Sequence, residues 1–191
     1  GGEIRIRGRK VAIHSPTEGM RHGLVYTAED RKLEGLVLDA SIEENIALSS
    51  LKALATGGFV RNARKRKLAQ DAITRFAVRA PSALQITGNL SGGNQQKVIL
   101  GRASATQPAV IMLDEPTRGI DVGAKTEIYS HMVSMARAGA AVVMVSSELP
   151  ELLGMSDRVL VMYRGRIVTE LPRDRADSET VIQWATTGVG A

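Results

Sequence analysis

Cysteine is absent from the 191 residues, which excludes disulfides, thiol chemistry and zinc–thiolate sites and fits a reducing compartment. Aromatic residues make up only 3% of the chain: one Trp, three Tyr and two Phe. None interleaves with the one dense basic run, Arg61-Asn-Ala-Arg-Lys-Arg-Lys67. That run therefore lacks stacking platforms for bases, and nucleic acid is not expected as a partner. No apolar stretch approaches the roughly 20 residues that cross a bilayer, so any membrane association is expected to be peripheral, through a partner. A phosphate-cradling loop, Gly-x-x-x-x-Gly-Lys-Ser/Thr between a strand and a helix, is also missing. The near match Gly119-Ile-Asp-Val-Gly-Ala-Lys-Thr126 fails twice: Ala124 replaces the second glycine, and residues 114–118 separate it from the preceding apolar run. Lys125 reads instead as an exposed helix residue.

What is present is ordinary globular composition, 43% hydrophobic and 24% charged, on a chain long enough for one sizeable core. The net charge of +5 is concentrated in residues 61–67. Because Leu68, Ala72, Ile73 and Phe76 follow at helical spacing, the run reads as a solvated helix face. Residues 3–7 and 10–13 read as two short strands joined by a turn. Ser15-Pro-Thr-Glu18 and Ser41-Ile-Glu-Glu44 read as capping boxes opening helices, Gly23 as a helix stop, and Leu24–Tyr26 as a short strand running into the charged loop Glu29–Lys32. Residues 41–80 are helical, broken at Thr56-Gly-Gly58, with no strand of their own. Three apolar runs, at 109–113, 140–145 and 158–162, read as buried strands. Between the first two, Ile128, Met132 and Met135 mark a helix face, with the methionines as core filler rather than ligands. Asp177-Ser-Glu-Thr180 opens a last helix carrying Trp184. Strands alternating with helices give an α/β fold with a mostly parallel sheet and an inserted α-helical subdomain.

Two motifs carry chemistry. In Val110-Ile-Met-Leu-Asp-Glu-Pro-Thr117 an apolar strand ends in two acids, and Pro116 terminates it. Ligands collect at the carboxyl ends of strands in such sheets. Asp114 is placed to hold Mg²⁺ through water, and Glu115 to orient or deprotonate an attacking water. In Leu90-Ser-Gly-Gly-Asn-Gln-Gln-Lys97, glycines allow close backbone approach to a ligand. A helix start there favours an anion, and Ser91 adds a hydroxyl donor. Taken alone, the first is also compatible with two solvated acids in a turn, and the second with any flexible loop.

Together, at this spacing, they resemble the signature and Walker B strand of ABC-type ATPases, with Arg118-Gly-Ile-Asp121 in the position of the D-loop. The longer string Asp114–Lys125, with Val145-Ser-Ser-Glu-Leu-Pro-Glu151, resembles the second ATPase half of ribose-, galactose- and xylose-type bacterial sugar importers, and the resemblance runs from Gly2 to Trp184. It implies a P-loop NTPase-like ABC ATPase domain laid out as core with the Q-loop region (1–40), α-helical signature subdomain (41–102), and core with Walker B, D-loop and switch region (103–191). It implies ATP and Mg²⁺ as ligands, with Ser91, Gly92, Gly93, Asn94 and Gln95 clasping ATP held by the partner half and Asp121 touching across the interface. The Q-loop position falls on Glu29 where glutamine is usual, and the switch position on Ser147 where histidine is usual. Asn94 replaces a commoner glutamine. These variants suit the second half of the sugar-importer group and weaken the case for full hydrolysis at this domain's own site.

In that family the phosphate loop and its helix come just before the segment resembling Gly2–Ile13. The chain is thus expected to be truncated, to lack ATPase activity and ATP affinity by itself, and to cover an exposed sheet face by self-association. The implied partners are the other ATPase domain, membrane permease subunits and, indirectly, a periplasmic sugar-binding protein, at the cytoplasmic face of the inner membrane. Two rivals stay open: a soluble ABC-type ATPase of translation or DNA repair, and a catalytically degenerate regulatory module.

Overall fold

The first described element is an antiparallel hairpin, β1 (Ile4–Ile6) and β2 (Arg9–Val11), closed at Arg7 and Gly8. Both turn residues have positive φ, 50° and 75°, the twist that two-residue hairpin turns require. The computed structural model describes residues 2–190, which divide into two compact units at Met144/Val145.

In the first unit, α1 (Pro16–Arg21) is capped by Ser15, whose Oγ accepts from the Glu18 N–H at 3.3 Å. The reciprocal bond differs from the expected capping box. Glu18 accepts from the His14 N–H at 2.7 Å, one residue before the cap. Gly23, at φ 78°, ends the helix and admits β3 (Leu24–Thr27). A single wide helical turn follows at Arg31–Gly35, where Asp30 Oδ1 accepts from the Lys32 and Leu33 N–H groups at 2.9 and 3.0 Å. These two bonds hold the Asp30 carboxyl below its usual range.

Next comes a helical cluster: α2 (Ile42–Ala47), α3 (Leu51–Leu54), α4 (Asn62–Arg75) and α5 (Gly92–Ala105). The Ser41–Glu44 capping box forms in full. The cluster does have strands of its own, contrary to expectation: β4 (Ala55–Thr56) pairs antiparallel with β5 (Phe59–Val60). The two glycines read as a helix break, Gly57 and Gly58 at φ 60° and 85°, are the hairpin turn. The basic run lies along α4 as a solvated face; only Lys65 folds back, to Glu43 at 3.1 Å. Ile42, Ile46, Ala72, Phe76, Val98 and Leu100 are buried between α2, α4 and α5. Gly101 permits the approach, since a methyl there would meet Ala72 Cβ at 3.4 Å.

One buried amide ties this cluster to its flanking loops. Asn45 accepts from the Val37 N–H at 2.9 Å and donates to Val37 O, Ser41 O and Thr87 Oγ1 at 2.8, 3.1 and 3.0 Å. Asn45 thereby pins the segment after β3 to the segment that enters α5.

The sheet of this unit has the order β3-β6-β7, with β6 (Val110–Asp114) central and β7 (Ala141–Val145) at one edge. β3 and β6 are parallel, from Leu24 opposite Val110 to Thr27 opposite Leu113. Val25, Thr27, Ile111 and Leu113 form the buried face. α6 (Val122–Arg137) joins β6 to β7 and buries Ile128, Met132 and Met135, the face its periodicity predicts. The expectation of wholly buried strands fails for β7, where Val143 and Val145 are 46% and 57% exposed. Alternate side chains of a strand point to opposite faces, and among the described residues one face of this edge strand is open.

The second unit contains α7 (Leu149–Met155), β8 (Arg158–Tyr163), β9 (Arg166–Pro172) and α8 (Ser178–Thr187). β8 was also expected to be buried. It is half of an antiparallel hairpin with β9, so Val159 and Val161 are buried while Leu160 and Met162 are exposed. Leu149, Leu153 and Trp184 pack on that valine core. Asp177 caps α8 through Thr180, as its sequence pattern predicts.

Replacing Asn45 by leucine strands the Val37 N–H and the Thr87 hydroxyl, whereas the Val37 and Ser41 carbonyls keep backbone donors in Ala40 and residue 45. At about 1–3 kcal/mol for each buried group left unsatisfied, Asn45→Leu is expected to cost at least about 2 kcal/mol. Urea unfolding of the two proteins measures it.

Candidate functional site

β6 delivers Asp114 to the carboxyl end of the parallel pair, where the fold collects ligands. Tyr26 on neighbouring β3 donates its hydroxyl to Asp114 Oδ2 at 2.8 Å. That bond, with some burial, raises the phenol above its ordinary value of 10.0, so Tyr26 keeps its proton and remains a donor. No local signal marks Tyr26 as part of the site. Its role depends on the β3–β6 register, which the sequence does not print.

Glu115 follows with φ at 45°, in the left-handed region that costs a branched or long side chain energy. The chain then turns tightly. Arg118 N–H donates to Glu115 O at 3.1 Å, and Ile120 N–H to Thr117 O at 3.2 Å. Pro116, Thr117 and Ile120 are buried while Arg118 and Gly119 are exposed. Asp121 uses its carboxylate to cap α6, accepting from the Ala124 N–H at 3.0 Å. Lys125 therefore sits in the first turn of a helix with no glycine-rich loop before it. The near match to a phosphate loop is a decoy, although Lys125 is half-buried rather than exposed.

Ser91 is the N-cap of α5, with extended backbone (φ −62°, ψ 156°) and a solvent-exposed side chain. The first N–H groups of a 14-residue helix have no intrahelical partner, and its positive dipole end faces the same way. Ser91 Oγ does not cap them. It accepts from Asn94 Nδ2 at 3.0 Å, which leaves its O–H able to donate. Asn94 is held in turn, accepting from the Arg79 N–H at 2.8 Å. Gln95 turns inward and is buried, with Nε2 3.4 Å from Thr87 O.

The two glycines also have a reason within the fold itself. A methyl on Gly93 would lie 2.7 Å from Ala124 Cβ, and one on Gly92 would lie 2.8 Å from Arg31 Nη2. Their missing side chains make room for α6 and for an arginine of the same chain. The start of the signature helix is thus packed onto the start of α6, close to Asp121. Glu29 and Arg118 form an ion pair, both exposed, so the loop after β3 is bound to the loop after β6. Ser147 belongs to the second unit, two residues past β7 and exposed. Next to it, Ser146 Oγ donates to Glu151 at 2.6 Å and accepts from the Glu148 N–H at 3.0 Å.

Behind the signature, Lys97 is 2% exposed and pairs with Glu127 of α6, while its Nζ also donates to Ala77 O at 3.1 Å. Arg79 joins Glu127 from outside at 2.7 Å. Lys97 and Arg79 hold the Glu127 carboxyl below its usual range. His131, one turn further along α6, packs tilted against Phe76, with ring centroids 5.0 Å apart and planes at 51°. Burial first, then the Lys97 charge, lowers its pKa from the ordinary 6.5. Among the described residues no group of three or more His, Cys, Asp or Glu side chains could hold a metal ion unaided. The oxygen donors at the strand end suit a hard cation that keeps most of its waters and leans on phosphate oxygens.

A parallel sheet with an acid pair at its carboxyl edge, and a helical cluster whose last helix starts in Ser-Gly-Gly, defines the ATP-binding cassette fold. Solved structures agree. A nucleotide-free ATP-binding cassette from an ABC transporter superposes with a TM-score of 0.75 at 20% identity, covering 100% of this chain and 78% of that one. A dimeric cassette, MJ0796, bound to ADP and Pi matches with a TM-score of 0.75 at 21% identity over 91% of this chain and 74% of that one. Residues 1–118 match the family described as ABC transporter, and the chain belongs to that family. It is 47% identical over 189 residues to the ribose import ATP-binding protein RbsA of Oceanobacillus iheyensis, covering 99% of this chain and 38% of the relative. It is 46% identical over 187 residues to the xylose import ATP-binding protein XylG of Thermoanaerobacter pseudethanolicus, covering 98% of this chain and 37% of the relative. The chain therefore spans less than two-fifths of the length of these relatives.

A base whose folded pKa is depressed binds its proton more readily when unfolded. The stability linked to it is complete above the unfolded value and declines as pH falls below it. For His131 that decline begins near 6.5. Melting curves between pH 7.5 and 5.5 are expected to show a fall in Tm that His131→Gln flattens.

Proposed function

We propose that this chain is the second ATPase half of a bacterial monosaccharide importer, acting at the cytoplasmic face of the inner membrane. The observation that carries the reading is the join between the two motifs: the loop leaving Asp114–Glu115 packs directly on the helix that Ser91 opens. Near-full-length likeness of this chain to segments of ribose and xylose import ATP-binding proteins supports the substrate class.

In this mechanism ATP lies between two ATPase halves. Asp114, steadied by the Tyr26 hydroxyl, would hold the water shell of Mg²⁺, and the cation would supply neutralisation of phosphate charge. Glu115 orients and deprotonates the attacking water. Ser91, with Gly92, Gly93 and Asn94, clasps the γ-phosphate of ATP held by the partner half, donating its O–H and first-turn N–H groups. Gln95 supports that turn from inside. Glu29 and Asp121 carry contacts at the Q-loop and D-loop positions, and Ser147 occupies the switch position, where it can donate a hydroxyl but not act as an imidazole.

A groove of about 400 Å³, lined by Val37, Leu48, Leu51 and Val60 with Asn62 and Lys65 at its rim, suits an apolar helix of a permease subunit. It is continuous in sequence with loop 29–35, whose Leu33 is 83% exposed. Among the described residues no helix is long and apolar enough to cross a membrane, which fits a peripheral subunit. The domain layout proposed is core at 1–40, signature subdomain at 41–102 and core at 103–191. The open face of β7 is where self-association of the isolated chain would occur.

Glu115→Gln in the intact subunit, assembled with permease and sugar-binding protein in vesicles, is expected to retain ATP binding and lose about 100-fold or more of sugar-stimulated phosphate release. Undiminished turnover would remove Glu115 from the chemistry. Among the described residues none forms a glycine-rich phosphate cradle, so calorimetry of this chain alone is expected to detect no Mg-ATP binding; a micromolar Kd would overturn that expectation.

A further inference from the structure

Arg31 opens the wide turn after β3, and its guanidinium reaches the loop beyond Glu115. Nη1 donates to the carbonyl of Arg118 at 2.6 Å and Nη2 to that of Gly119 at 3.2 Å. The Arg118 side chain crosses back to pair with Glu29. Two segments distant in sequence are thereby tied together twice, once through backbone carbonyls and once through charge.

The same guanidinium roofs the start of α5. Nη2 is 2.8 Å from where a methyl on Gly92 would stand, and 3.5 Å from one on Gly119. Its Nε is buried with no hydrogen-bond partner. A buried N–H without an acceptor costs stability, so the placing of this half-buried side chain is better explained by where it holds its neighbours. Lysine could not do this: a single ammonium does not present a planar fork to two adjacent carbonyls.

We propose that Arg31 is a positioning residue that makes loop 29–35, the turn at 118–120 and the first turn of α5 move as one body. A displacement of the loop on its permease side would then reach the serine that clasps ATP without passing through the sheet. The use assigned to this clasp rests on the function proposed above. The clasp itself rests only on the contacts of Arg31.

The test uses the intact ATP-binding subunit assembled with its permease, as wild type, Arg31→Ala, Arg31→Lys, Gly92→Ala and the double variant Arg31→Ala/Gly92→Ala. Hydrogen exchange without nucleotide reads the clasp. Both Arg31 variants are expected to speed exchange across 118–121 by about 10-fold or more, with 98–103 inside α5 unchanged. Steady-state kinetics read its use. In both Arg31 variants sugar-stimulated kcat falls by about 10-fold or more while KM for ATP holds, as for a misplaced group rather than a lost binding contact. Gly92→Ala produces a similar fall alone but none beyond that of Arg31→Ala in the double variant, because the methyl then enters vacated space. Unchanged exchange at 118–121 overturns the proposal. So does a Gly92→Ala penalty that is equally large with and without Arg31, which would assign the glycine to nucleotide alone. Absence of sugar-stimulated hydrolysis in the wild type would instead sink the transport reading, with the exchange data still deciding the clasp.

Discussion

The contact on which the first unit's chemistry depends is the one between two helix starts. α5 and α6 meet where Gly93 faces Ala124 across a gap too small for a second methyl. That closeness sets the signature serine beside the loop that leaves Asp114, although more than 20 residues of chain and a strand intervene. It also explains why the motif needs glycine at 93 whether or not nucleotide is present. A helix N-terminus is a common anion site. Here it is fixed to a strand end bearing two acids, so in the proposed mechanism the clasp offered to the partner half and the acids of the domain's own site share one rigid frame.

Around that contact the polar interactions form a continuous support. Ser91 is held by Asn94, Asn94 by the Arg79 backbone, and the Arg79 side chain by Glu127, which Lys97 also reaches from the interior. Burying Lys97 would be costly without Glu127 and the Ala77 carbonyl to receive it. The asparagine that departs from the commoner glutamine is short enough to bond both Ser91 and residue 79. Its amide takes a lone pair of the serine and leaves the hydroxyl hydrogen for a ligand.

Much of this was legible in the sequence because it is local. The Ser41 capping box, the helix face at Ile128, Met132 and Met135, the strand ending at Asp114 and the helix start at Ser91 each depend on residues within a turn or two. What escaped depends on tertiary contact or on a turn mistaken for a break. Gly57-Gly58 interrupts a helical pattern equally well as a loop or as a hairpin, and only the pairing of Ala55 with Val60 decides. β9 was missed because Arg166–Pro172 alternates weakly, its apolar face being visible only against β8. Tyr26 and Arg31 gave no signal, since their partners lie more than 80 residues away. The packing that also calls for Gly92 and Gly93 was hidden, because Arg31 and Ala124 lie far off in sequence.

Glu115 carries a consequence of its own. A long side chain held at φ 45° is a conformation that glycine or asparagine would occupy at lower cost. Selection for heat tolerance at this position would thus favour the residues that discard the carboxylate, and selection for turnover would favour the one that keeps it. On the function proposed above, robustness and chemistry pull in opposite directions at this single site.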